Sequence, residues 1–236
     1  MIISCKKVVK RYANKTVLDE VDLEIKQGEF FGLVGMNGSG KSTLIKSILD
    51  LVGINSGVIS IQNQSHRKVE SRENIAYLPD RFSPPAHLRG QDFIQYMLKL
   101  HGSDCGQNKI DAILEGLDLD KQVMQESVNK LSKGMTQKLG LASCLLSDKS
   151  LLILDEPMSG LDPRARILFK KQLKNLKQEG ATVFFSSHVL ADVEELADTM
   201  AVLHNSKICF SGTPEAFKKK FNGDNVEQAY MNCIGC

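Results

Sequence analysis

One segment, Gly35-Met36-Asn37-Gly38-Ser39-Gly40-Lys41-Ser42, constrains this chain more than any other. It matches the pattern GxxxxGK(S/T). In that pattern glycines let backbone N–H groups converge on phosphate oxygens, and the helix that follows adds its positive end. Given average glycine usage, a chance match arises roughly once in a hundred chains of this length. The flanks sharpen the match. Phe30 to Val34 is continuously apolar, as a strand buried on both faces would be, and Leu44, Ile45, Ile48 and Leu51 then recur at helical spacing. Strand, glycine loop and helix in that order point to a phosphate-binding α/β core. The expected phosphate contacts are Gly35, Asn37, Gly38, Ser39, Gly40, Lys41, Ser42 and Thr43. Lys41 would bridge the β- and γ-phosphates, and the Ser42 hydroxyl would ligate Mg²⁺.

The rest of the chain arranges itself around this core. Ile2 to Val9, Val17 to Ile25 and Gly57 to Ile61 carry β-branched residues with partial alternation, broken by Asn, Gly and Ser turns, which predicts an N-terminal antiparallel β layer. After Pro79, Pro84 and Pro85 the period becomes helical. Phe93, Tyr96, Met97 and Leu100 share one predicted face, and Ile110, Ile113, Leu114 and Leu117 a second. Leu139, Leu145 and Leu146 lie on a third helix opening near Gly134. These make a helical insert over about 82–147, set between core segments of about 1–81 and 148–236 in a single domain. The core resumes with a buried strand at Leu151 to Leu154 and a helix through Ile167, Leu168, Leu173 and Leu176. A strand at Thr182 to Phe185, a helix over Val189 to Leu196 and a hairpin turning at Asn205-Ser206 follow. Thr213 before Pro214 reads as a helix N-cap, and Lys218 to Lys220 as a solvated face.

The strand Leu151-Leu152-Ile153-Leu154 ends in Asp155-Glu156. Ligands of parallel sheets sit at the carboxyl ends of strands. Asp155 can hold Mg²⁺ through water, because a hard cation takes oxygen ligands, and Glu156 is placed to polarise an attacking water.

With Leu131-Ser132-Lys133-Gly134-Met135 ahead of a helix, the sequence resembles the ATP-binding cassette (ABC) family along its whole length. LSKGM stands where that family has its LSGGQ signature. Ser159-Gly160-Leu161-Asp162 is similar to its D-loop, His188 to its switch histidine and Tyr12 to the aromatic that stacks on adenine. The resemblance implies a P-loop NTPase core with an antiparallel β subdomain and a helical insert carrying the signature. It implies a Mg²⁺-dependent ATPase using Glu156 and His188, with Tyr12, Ser132, Gly134 and Asp162 as further nucleotide contacts and Ser42 and Asp155 at the metal. It also implies two partners: a second cassette in an ATP-sandwich dimer, and an integral membrane permease subunit. Two positions depart from the pattern. Lys133 and Met135 replace the first signature glycine and the glutamine, and the SKGM form resembles cassettes of ABC-2 type exporters. Asp80 stands where the family has the Q-loop glutamine, so it joins the metal candidates as a shorter, charged residue.

Composition narrows the alternatives. Lys plus Arg number 30 and Asp plus Glu 28, a net charge of +2, which gives no case for a nucleic-acid surface. A soluble ABC-type ATPase acting on nucleic acid or ribosomes is the competing class. Lys41 and Leu131 are only 90 positions apart, leaving no room for the long coiled coil of chromosome-maintenance cassettes, and translation cassettes usually come in tandem. No window approaches the roughly 20 apolar residues of a membrane span. No signal-peptide pattern opens the chain, so a cytoplasmic protein, peripheral on the cytoplasmic face of the membrane, is expected. The six scattered cysteines fit free thiols, with the Cys233/Cys236 pair read as structural or incidental in preference to a metal or redox site. Phe82, Pro84, Pro85 and Leu88 form an apolar stretch where a permease helix could dock.

Overall fold

The computed structural model describes residues 1–235. Residues 1–74 hold β1 (Ile3–Tyr12), β2 (Lys15–Ile25), β3 (Phe30–Val34), α1 (Lys41–Ile48), β4 (Ser56–Ile61) and β5 (Gln64–Ser65). Residues 75–179 hold β6 (Ile75–Leu78), α2 (Gly90–His101), α3 (Gln107–Gly116), α4 (Lys121–Gln125), α5 (Lys133–Leu145), β7 (Leu151–Leu154) and α6 (Pro163–Gln178). From 180 onward come β8 (Thr182–Ser187), α7 (Leu190–Leu196), β9 (Thr199–His204), β10 (Lys207–Gly212), α8 (Pro214–Lys220) and α9 (Val226–Ile234). The chain divides into two compact units, residues 1–74 with the segment from 180 onward, and residues 75–179.

The first unit has two strand layers. One is antiparallel in the order β2-β1-β4-β5, with Ile3 opposite Ile25 on one side and Ile61 on the other. Its alternation buries Leu18, Val21, Leu23, Ile25, Ile59 and Ile61. Helix α1 packs on β2 and β4. In the other layer β3 lies between β8 and β9 and is parallel to both, and every one of its residues is buried. Strands β9 and β10 form the expected hairpin, with Asn205 and Ser206 at φ 47 and 69. Positive φ at both central residues gives the turn whose twist matches a two-strand ribbon. Thr213 caps α8 as predicted, accepting from the Ala216 N–H at 3.1 Å. The lysine run after it is only partly a solvated face. Lys218 pairs with Glu194 at 2.7 Å, and Lys220 lies over the Phe210 and Phe221 rings.

In the second unit β6 and β7 pair in parallel, from Ile75 opposite Leu151 to Leu78 opposite Leu154. The segment between them is helical. Helix α5 buries a continuous stretch from Gln137 to Leu145 and packs on β6. Helix α2 differs from expectation. It buries Phe93, Ile94 and Leu98 against α4 and α5, while Tyr96 and Leu100 are 48% and 62% exposed. Two faces sharing Phe93 satisfy a 3.6-residue period, and only the neighbouring helices choose between them. Ile167 is likewise exposed, because α6 buries Ala165, Phe169 and Leu173 instead. Phe82 packs edge-on against Phe93 with centroids 5.7 Å apart and is half-buried, so one edge of its ring meets this unit's core while the rest stays open to solvent.

No helix among the described residues is long and apolar enough to cross a membrane. Cys5, Cys105, Cys144, Cys209 and Cys233 are free thiols. The Cys233/Cys236 pair reaches Cys236, which lies outside the described residues.

Candidate functional site

In the first unit the phosphate loop leaves the end of β3. A side chain at Gly35 would place its Cβ 2.5 Å from the Leu203 carbonyl oxygen, so only glycine fits there without moving backbone. Gly40 sits at φ 111 in the N-cap position of α1. No side chain caps that helix and no acid occupies its first turn, leaving the positive end of its dipole for an anion. Lys41 is buried and curls over its own loop, donating from Nζ to the Gly35 carbonyl at 2.7 Å. The Ser39 hydroxyl is buried with no hydrogen-bond partner among the described residues. Ser42 and Thr43, in the first turn of α1, are half-buried, and Asn37 and Gly38 are exposed at the loop tip. An ammonium, an uncapped helix start and an orphaned hydroxyl, without a carboxylate in the loop, suit a chain of phosphates.

Val34 lies opposite Ser187 in the parallel register of β3 and β8. The residues that follow them, Gly35 and His188, therefore leave adjacent strand ends. The Ser187 hydroxyl accepts from the Val189 N–H at 3.0 Å, which shapes the turn carrying the exposed His188. Tyr12 ends β1 in the antiparallel layer, 47% exposed, with Lys10 Nζ 4.6 Å from its ring centroid. An exposed aromatic with a cation on it can stack a nucleobase.

In the second unit the carboxylates leave the end of β7. Asp155 is fully buried, and its N–H donates to the Leu78 carbonyl at 2.8 Å, extending the β6–β7 ladder by one rung. Glu156 follows at φ 51, a left-handed conformation that costs a non-glycine residue energy and is found most often at functional turns. An oxygen donor on Asp155 suits Mg²⁺. Asp80 is exposed, two residues past the end of β6.

The signature residues meet the same turn. Ser132 caps α5 by accepting from the Met135 N–H at 3.2 Å. A Cβ on Gly134 would lie 3.0 Å from the Gly160 carbonyl, and Gln137 Nε2 donates to the Pro157 carbonyl at 3.2 Å. Asp162 caps α6. The Ala165 N–H, at 2.9 Å, is the main cause holding its carboxyl below the usual range. The second unit thus gathers Ser132, Gly134, Asp155, Glu156 and Asp162 around one turn.

One residue of this neighbourhood escaped the sequence reading. Tyr77, on β6, has a buried hydroxyl with no hydrogen-bond partner among the described residues. Burial first, then the charges of Asp155 and Asp80, push its pKa well above the ordinary phenol value, which makes it a weaker acid.

A family model described as "ABC transporter" matches residues 18–159. The chain is 34% identical to an uncharacterized ABC transporter ATP-binding protein, sll0415, of Synechocystis, over 83% of this chain and 56% of that protein. It is also 34% identical to the bacitracin transport ATP-binding protein BcrA of Bacillus licheniformis, over 88% of this chain and 68% of that one. It therefore spans little more than half the length of the first of these relatives. A solved ATP binding subunit of an ABC transporter superposes with a TM-score of 0.89 at 27% identity, covering 99% of both chains. The chain belongs to the ABC transporter family, among its ATP-binding proteins.

Proposed function

We propose that this chain is the ATP-hydrolysing subunit of a transporter, one that exports its cargo through a separate integral membrane subunit. The observation that carries the reading is the phosphate loop, where a buried lysine and an uncapped helix start share one glycine turn. Gly35, Asn37, Gly38, Ser39, Gly40 and Thr43 would contact the phosphates with Lys41, and Tyr12 the base. Ser42 and Asp155 would hold Mg²⁺, with Asp80 a third candidate. The ion would neutralise charge on the phosphates. Glu156 polarises the attacking water and His188 orients it toward the γ-phosphate. A relative named as a Nod factor export ATP-binding protein, from Burkholderia orbicola and 30% identical over 97% of this chain, supports the direction of transport.

The same reading gives residues 82–147 to a helical subdomain within one cassette. It gives the protein a second cassette as partner, with Ser132 and Gly134 of one copy meeting the nucleotide of the other, and Asp162 as a further nucleotide contact. A helix start capped by an exposed serine suits a γ-phosphate, which supports this role. A groove of about 680 Å³ that includes Asp80, Arg81, Phe82, Pro84 and Leu131 supports docking of the membrane subunit there, on the cytoplasmic face.

Glu156→Gln tests the assignment. Hydrolysis should fall about 10²–10⁴-fold while ATP affinity stays at the wild-type value, because a water-polarising group is lost and no phosphate contact is. Light scattering of the same variant should show a dimer with ATP and a monomer without it. Wild-type turnover in this variant would show that Glu156 is not the base.

A further inference from the structure

Strands β6 and β7 run parallel with Tyr77 opposite Ile153. Side chains two apart on a strand share a face, so Tyr77 lies on the face to which Asp155 belongs, one pleat back from it. The Tyr77 hydroxyl is out of contact with solvent and has no hydrogen-bond partner among the described residues. Such a group costs stability unless a partner arrives. Asp155 and Asp80 are the charges that bear on it, and both disfavour its ionisation. It therefore stays a neutral O–H, able to donate a hydrogen bond to an acceptor brought within reach. Two polar groups near each other yet beyond direct contact are commonly joined by water.

We propose that Tyr77 is a positioning residue for the metal-bound nucleotide, its hydroxyl donating to a water that the Asp155 carboxylate holds when Mg²⁺ and ATP are bound. This rests on the reading of Asp155 as the metal's carboxylate. The hydroxyl, unmatched in the free protein, is matched in the loaded one. Its contribution therefore appears only in the affinity that Mg²⁺ adds to ATP.

Tyr77→Phe removes the hydroxyl and keeps the ring. ATP would be titrated into wild type and variant with Mg²⁺ and with EDTA, and both nucleotide-free proteins melted. The variant should melt at or slightly above the wild-type temperature and bind ATP equally in EDTA. Its Mg²⁺ enhancement of ATP affinity should be about five- to tenfold smaller, the worth of one hydrogen bond to a polarised partner. A nucleotide-free variant melting more than ~3 °C lower would overturn the proposal, because the hydroxyl would then have a structural partner inside the fold. An undiminished Mg²⁺ enhancement would overturn it as well. If wild type itself showed no Mg²⁺ enhancement, or Lys41→Ala bound ATP like wild type, the nucleotide-site reading beneath it would fail instead.

Discussion

The turn after β3 and the turn after β7 both end buried parallel strands, yet they are made of different material. The first is built from backbone. Gly35 is excluded from carrying a side chain by a carbonyl 2.5 Å away, and Gly40 begins α1 at φ 111. The second is built from side chains. Asp155 and Glu156 are buried carboxyl residues, Tyr77 adds a buried hydroxyl, and Ser132 and Gly134 approach by way of α5. A backbone site fails when anything is added to it. A side-chain site fails when a specific atom is exchanged, and the fold around it survives.

The largest effect should therefore come from adding atoms to the first turn. Gly35→Val forces the Leu203 strand to move, at a cost of about 3 kcal/mol or more, and should lower Tm by about 6–12 °C. ATP binding should be lost in either Mg²⁺ or EDTA. A stable variant that still bound nucleotide would break the contrast between the two turns.

Asp80→Gln exchanges one charge in the second unit and should leave folding alone. In the proposed site Asp80 would repel the triphosphate when the metal is absent and be reconciled with it when the metal is present. Because Asp80 is exposed, solvent screens the repulsion to about 1 kcal/mol, a factor of roughly five. Nucleotide titrations should show a Mg²⁺ enhancement smaller by that factor in the variant. An unchanged enhancement would remove Asp80 from the metal site.

The smallest effect should come from a carboxylate outside either turn. The Lys109 ammonium, then the Ser103 hydroxyl, hold the Asp148 carboxyl below its usual range. A carboxyl depressed in the folded state stabilises at pH values above its unfolded pKa, and that stabilisation fades as pH falls through the lower folded value. Half of each side chain is exposed, so the pair is worth less than about 1 kcal/mol. Asp148→Asn should lower Tm by no more than ~4 °C at pH 7, with the difference vanishing as pH falls through the depressed folded value. A larger or pH-independent difference would mean that Asp148 matters through something other than its charge.

Sequence reading fared best where the information is local. Gly35 to Ser42 carries its backbone requirements in its own residue types, and the Asn205-Ser206 hairpin and the Thr213 cap are legible for the same reason. Helix α9 was legible but unread. Asn225 caps its start by accepting from the Gln228 N–H at 2.8 Å, and Gly235 closes it at φ 78. The exposed Tyr96, Leu100 and Ile167 were not legible, because each lies at a helical position that a buried face could equally have used.

The sequence by itself determined that a buried strand must run into a glycine loop, a lysine and a helix, since φ preference, helix capping and apolar runs act within a few residues. It also determined that a second apolar strand ends in two carboxyl residues. The tertiary structure decided which helix faces are covered, which strands stand in register and which polar atoms are left without a partner. Tyr77 is the clearest case. Its place on β6 follows from the chain, but the isolation of its hydroxyl depends on what the neighbouring elements bring within 3.5 Å, and that is set by contacts distant in sequence.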